Sequence, residues 1–304
     1  VNNGNLHWKD VDESSLEVTP AVWYGGRGIF AGSDNSIIDY ITIASPSNSI
    51  DFGDILAYSE NLSGCSNGSR GVIGGGMSGF SNVIQYITIA TTGNATDFGD
   101  LTETRGALAS CSDGTTGIWA GGEGSAGNSN VIDYVTISTL ANATDFGNTS
   151  HTRTRLAGCA DSTRGVFGGG HDGSYINPID YITIATTGNA TDFGDLSEVK
   201  SMLASTSDAT RGLWGGGYTG STRTNVIDYV TIQTTSNSTD FGDLTLARYF
   251  PSACSDGTYG VFGGGSATPG DTIDYVTIAT TANAVDFGNL VAGDRNGFAS
   301  FSGD

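Results

Sequence analysis

The tripeptide Asp-Phe-Gly begins at Asp51, Asp97, Asp145, Asp192, Asp240 and Asp286, with spacings of 46, 48, 47, 48 and 46 residues. Self-similarity at so fixed a period marks a repeat architecture, in which one supersecondary unit packs on copies of itself. A second marker keeps the same register. It reads Ile-Asp-Tyr, then Ile or Val, then Thr-Ile, with tyrosines at Tyr40, Tyr86, Tyr134, Tyr181, Tyr229 and Tyr275; only Gln85 replaces the Asp. A third is an apolar pair closing on glycines, as in Val166-Phe167-Gly168-Gly169-Gly170 and Leu213-Trp214-Gly215-Gly216-Gly217, varied at Ile29-Phe30-Ala31-Gly32. Six units cover nearly everything after Pro20.

Within one unit, Leu156 to Leu196, the pattern predicts four strands, here called a to d: Leu156 to Ala160, Arg164 to Gly168, Ile179 to Thr186 and Ala190 to Asp195. Turn residues at Asp161-Ser162-Thr163 and Thr187-Gly188-Asn189 separate them, and Tyr181-Ile182-Thr183-Ile184 alternates with a strand's period of two. With 47 glycines in 304 residues a helical bundle is excluded, while 37% hydrophobic and 10% aromatic residues suffice for a core. Four antiparallel strands per unit, repeated around a ring, are the blade of a β-propeller. A linear solenoid is the second architecture, and it would expose a whole sheet at each end.

Ring closure has two readings. Strands b, c and d occur six times, but strand a has seven candidates. The segment Gly297 to Gly303 keeps the small-residue character of Leu203 to Ser207, so residues 298–302 are the favoured strand a of the first blade. That gives residues 1–20 as an extension and residues 21–304 as one propeller. In the alternative, Ala21 to Tyr24 is the inner strand and residues 298–304 open a seventh, truncated blade.

Twelve Lys and Arg against 32 Asp and Glu give a net charge of −20, a field that repels phosphate backbones and anionic lipid, so nucleic acid is a poor partner. No apolar run reaches membrane-spanning length, and Val1 to Pro20 lack the basic and apolar parts of a signal peptide. Asp outnumbers Glu by 26 to 6, and Asp113, Asp161, Asp208 and Asp256 fit turns in which the side chain accepts from nearby amides.

Cys65, Cys111, Cys159 and Cys254 occupy one site on strand a of four blades, which predicts buried free thiols acting as small hydrophobes. Three histidines and no close-spaced Cys pair argue against a metal held through sulfur, and no cofactor motif is present. The Asp pairs such as Asp97 and Asp100 lack a calcium loop, and turn capping is the preferred reading. Sequons such as Asn94-Ala95-Thr96 and Asn189-Ala190-Thr191 recur because the turn recurs.

The Gly-Gly closing strand b, the aromatic opening strand d (Phe98, Phe146, Phe193) and the basic residue before strand a (Arg105, Arg153, Lys200, Arg248) resemble the kelch repeat. More closely, Asn-Val-Ile-Asp-Tyr-Val-Thr-Ile, then Asn-Ala-Thr-Asp-Phe-Gly-Asp-Leu, then Ser-Asp-Gly-Thr-x-Gly resemble kelch-like repeats of virion structural proteins in marine bacteriophages. The likeness covers about 280 residues. It departs where Phe replaces the usual strand d Trp and where Ser59 replaces the basic residue. The resemblance implies a six-bladed kelch-like propeller in a tail fibre or spike, virion-borne and extracellular. Its implied partners are other virion proteins, a host-surface glycan or a host protein, with a symmetric homo-oligomer left open.

Binding is expected where the units disagree. The a to b and c to d turns are nearly copied, whereas the b to c loops on the other face differ. Those loops carry Phe80, Glu123, His171, Tyr175, Tyr218 and Arg223. Arg105, Arg153, Lys200, Arg248 and Arg295 are expected on that face as a basic ring at the channel mouth, for an anionic or sugar ligand. The alternative pairs those cations with neighbouring carboxylates. A polysaccharide lyase or glycosidase is the enzymatic reading, with Glu123, His171 and Tyr175 as its candidates, but near-uniform blades favour a non-enzyme.

Overall fold

The computed structural model describes residues 24–33, 35–57, 59–291 and 293–304. Among them there is no α-helix. Six four-stranded antiparallel sheets form a six-bladed β-propeller, with strand a of each blade beside strand a of the next around the axis. In the fourth blade the strands are Ala157–Ala160, Arg164–Gly168, Pro178–Thr183 and Thr191–Asp195. Strand c ends three residues before its predicted limit because Thr186 N–H donates to Thr183 O and turns the chain.

Closure follows the favoured reading. Ala299–Gly303 pairs antiparallel with Arg27–Ala31, one residue later than predicted, and completes a first blade with Ile37–Thr42 and Ile50–Asp54. The seventh-blade alternative is thereby excluded. The extension over residues 1–20 lies outside the described residues. Tyr24 lies at the a to b end of the channel, against Gly257.

The Asp-Phe-Gly marker is a repeated β-bulge. In the first blade Ile38 pairs with Gly53 and Asp39 with Asp51, leaving Phe52 as the extra residue. The same shift occurs in all six blades. The bulge turns the phenylalanine inward, edge-on to the tyrosine of the second marker, with Tyr–Phe ring centroids 5.8–6.2 Å apart. The glycine that follows touches the next blade. A Cβ on Gly53 or Gly99 would lie 2.5 Å from the carbonyl oxygen of Gly93 or Ala141 in the neighbouring c to d turn. Beside it, the last N–H of strand d donates to the turn asparagine of the next blade, as from Asp54 to Asn94 and from Asn148 to Asn189, at 3.0–3.1 Å. The recurring sequon asparagine is thus a seam residue.

Six apolar clusters form the core, one in each seam between blades. Strand c feeds two of them by alternation: Ile38 and Tyr40 face the second blade, while Ile41 and Ile43 face the sixth. The four thiols fill the seams near the axis. A Cβ on Gly28, Gly117, Gly165 or Gly212 would sit 2.7–3.1 Å from the sulfur of Cys254, Cys65, Cys111 or Cys159, all buried and free. The Asp turns form as expected, with Asp113 Oδ1 accepting from Thr115 and Thr116 N–H at 2.8 and 2.7 Å.

The expected basic ring is corrected by the structure. Arg105, Arg153, Lys200, Arg248 and Arg295 are 0–1% exposed and pair with Asp133, Asp180, Asp228, Asp274 and Asp39 at 2.7–2.9 Å. Each carboxylate lies on strand c on its seam-facing side, and each cation comes from the linker entering that blade. Backbone carbonyls complete the solvation: Arg153 donates to Gly169, Pro178 and Phe167 oxygens at 2.9, 2.8 and 3.2 Å. The acceptor Asp180 also ties down the preceding linker, taking bonds from Ser150 N–H and Oγ at 3.0 and 2.6 Å. Burial lowers the Arg153, Arg248 and Arg295 pKa values from their ordinary range, and the facing aspartates oppose it. These five cations are unavailable to a ligand at the channel mouth.

The second blade replaces both partners together. Ser59 stands at the cation's position and Gln85 at the carboxylate's, with Gln85 Oε1 accepting from Leu56 N–H at 2.7 Å. A neutral pair therefore fits this node, whereas one charge alone does not. Arg153→Ser or Asp180→Gln alone should each cost about 3–5 kcal/mol by leaving a buried charge unmatched. The double variant is expected to be more stable than either single one, as read by melting temperature.

The thiols supply a second test. Burial pushes Cys65 up to about 12 from 9.0 and raises Cys111, Cys159 and Cys254 as well. The folded chain therefore holds these protons more tightly than the unfolded one, so unfolding releases protons once pH exceeds about 9. Stability contributed by the neutral thiols should be intact below pH 9 and decline above it. Replacing all four cysteines with alanine should flatten that decline, and a thiol-reactive dye should label none of them until the chain is denatured.

Candidate functional site

Among the eleven described lysines and arginines, five are the buried partners above. Four more, Arg27, Arg70, Arg164 and Arg211, lie over Tyr40, Tyr86, Tyr181 and Tyr229 at 4.2–5.1 Å. Each also donates to a carbonyl of the next blade, at 2.7–3.0 Å. Nine cations are therefore committed to seams. The remaining two, Arg155 and Arg223, both lie on the face carrying the b to c loops and the d to a linkers.

That face has a second ring, made of backbone. Two residues after each seam cation, Ala107, Arg155, Met202, Phe250 and Gly297 adopt φ of 52–63°, and Asn61 in the second blade has φ 54°. Their amides and carbonyls form a closed circuit. Ala107 N–H donates to Asn61 O, Arg155 to Ala107, Met202 to Arg155, Phe250 to Met202, Gly297 to Phe250 and Asn61 to Gly297, at 2.5–3.3 Å. The ring frames a channel cavity of about 110 Å³. Below it, strand a supplies small hydroxyl-bearing residues such as Ser63 and Ser110, whose Oγ atoms are 2.6 Å apart. The backbone of the six ring positions is the same, and all six residue types differ.

An aromatic arc runs outward from this mouth. Ring centroids step from Phe250 to Tyr249, Tyr218 and Tyr175 at 5.7 Å each, and then to His171 at 5.0 Å. Adjacent rings are tilted by 56–79°, so they meet edge to face rather than stacking in parallel. All five are half-buried. Two short hairpins set the arc: His171 bridges Tyr175 in the fourth blade, and Tyr218 bridges Arg223 in the fifth. The exposed Arg223 guanidinium then lies 5.3 Å from the Tyr249 ring. Arg155 Nη2 is 3.8 Å from Glu123 Oε2, both side chains partly exposed.

The structure thus brings together His171, Tyr175, Tyr218 and Arg223 from the sequence-derived set and leaves out Phe80, which lies in the loop of the second blade. It adds Tyr249, Phe250, Met202 and Arg155. The sequence signal for these was weak: the position two after the basic residue differs in all six units, but so does the one before it, Glu60, Gly106, Thr154, Ser201, Tyr249 and Asn296. Among the described residues no group of three His, Cys, Asp or Glu could hold a metal ion. The enzymatic candidate Glu123 pairs with Arg155 rather than with a second carboxylate.

Left-handed backbone costs a side chain roughly 1–2 kcal/mol and suits glycine, which Gly297 already supplies in one blade. Ala107→Gly should leave the melting temperature unchanged or higher, whereas Ala107→Val should lower stability by about 1–2 kcal/mol. Compared with protein-family models and with curated proteins, the chain matches none.

Proposed function

We propose that the protein is a non-catalytic binding propeller of a virion, a tail-fibre or spike component that recognises a host surface through its b to c and d to a face. The observation that carries this reading is the gathering of unlike residues at one end of a ring of like blades. Asn61, Ala107, Arg155, Met202, Phe250 and Gly297 share one backbone geometry and no side-chain chemistry, beside an aromatic arc confined to the fourth and fifth blades and the linker entering the sixth. A rigid scaffold with one variable face is how binding propellers and other loop-bearing folds present a site. Tyr24 lies on the opposite face, and attachment of the propeller on that side would leave the variable face clear. The resemblance to phage virion kelch-like repeats supplies the setting, and propellers as a class leave function to the site.

Adsorption of the fluorescently labelled protein to a panel of bacterial cells tests the reading, beside a variant with loops 171–178 and 218–225 replaced by Gly-Ser. Wild-type adsorption lost in a variant with an unchanged melting temperature is the expected result. Equal adsorption by both, or adsorption to no cell, would contradict recognition through this face.

A further inference from the structure

We infer that the arc from His171 to Phe250 binds an acidic glycan, its tyrosine faces taking sugar rings and Arg223 and Arg155 taking an anionic substituent. This rests on the binding reading above and names its ligand class.

The argument begins with charge. In a chain of net charge −20, cations are scarce, and nine of the eleven described ones serve the seams. The two left over stand on one face, Arg223 over Tyr249 of the aromatic arc and Arg155 at the mouth, 3.8 Å from Glu123. Met202 N–H bonds Arg155 O, and Phe250 N–H bonds Met202 O, so Arg155 reaches the mouth two ring positions from the inner end of the arc. Arg223 stands at its middle, over Tyr249. A neutral sugar would require only the aromatic rings. A polyphosphate has no apolar ring face to set against the tyrosines, and its higher charge density meets more of the repulsion of the acidic body than a sugar acid does. One acidic group on a mostly uncharged ring matches what is present: a guanidinium fork for a carboxylate or sulfate, and apolar ring faces for C–H groups.

The site is also pre-shaped. The Tyr218–Arg223 bridge, with Thr219 N–H bonding Thr222 O at 3.0 Å, closes the loop that carries both residues. Asn128 Nδ2 donates to His171 O at 2.9 Å and ties the far hairpin to the third blade. Binding a sugar here immobilises little chain that is not already held.

Titration calorimetry with three hexasaccharides tests the inference: oligogalacturonate, its carboxyl-reduced neutral counterpart, and a sulfated carrageenan fragment. Wild type should bind at least one acidic probe about tenfold or more tightly than the neutral one. The two acidic arms distinguish carboxylate from sulfate. Arg223→Gln and Arg155→Gln should each remove most of that advantage without changing neutral binding, whereas Tyr218→Ala should weaken acidic and neutral probes alike. Leu140→Ser, an exposed change on the opposite face, should bind as wild type. Equal affinity for acidic and neutral probes would overturn the inference. So would no binding by a protein that still adsorbs to cells through these loops, and that result would leave the recognition reading standing. A protein that neither adsorbs nor binds any probe would remove both.

Discussion

A cation sealed between two sheets must be matched by a charge and solvated by dipoles, and the seams of this propeller are built around that requirement. The carboxylate on strand c holds the linker cation, and the cation in turn caps the open carbonyls where the b to c hairpin leaves its sheet. The same carboxylate receives the hydroxyl and amide of the linker before it. One node therefore fixes the path of the chain from one blade into the next. Because the pair is buried, its members constrain each other: the second blade carries Ser59 with Gln85, a neutral pair in which neither position leaves a lone charge behind.

With the linkers pinned, the position two residues on is left with a fixed backbone and a free choice of side chain. The closed circuit of amides and carbonyls uses main-chain atoms only, so it tolerates Asn, Ala, Arg, Met, Phe and Gly in turn. The scaffold thus separates two tasks. Seam positions carry stability through repeated contacts between Gly and Cys, Tyr and Phe, and Arg and Asp. Mouth positions and the two hairpins of the fourth and fifth blades carry chemistry that the seams do not use. The aromatic arc is local, spanning parts of three blades, and it breaks the symmetry of the ring.

The fold was largely legible because the repeat imposes its own punctuation. Period, strand order, Asp turns, buried thiols and the closing strand all follow from residues spaced by known turn chemistry. The site was legible only in part. His171, Tyr175, Tyr218 and Arg223 stand out as unlike residues in unlike loops, but whether a repeated Arg points to solvent or into a seam depends on the side of strand c its partner occupies. The joint departure of Ser59 and Gln85 from the pattern was the available clue to that pairing. Tyr249 and Phe250 were missed because they directly follow a seam cation, in a linker that reads as architectural.

Substitution at every described position, read out for both folded abundance and adsorption to a binding cell, tests this separation most directly. The account expects abundance to fall at the seam nodes such as Asp180, Arg153 and Gly165. At Arg155, Met202, Tyr218, Arg223 and Phe250 it expects adsorption to be lost with abundance unchanged. Loss of adsorption that follows abundance at every position, with no mouth or arc residue affecting binding alone, would contradict it.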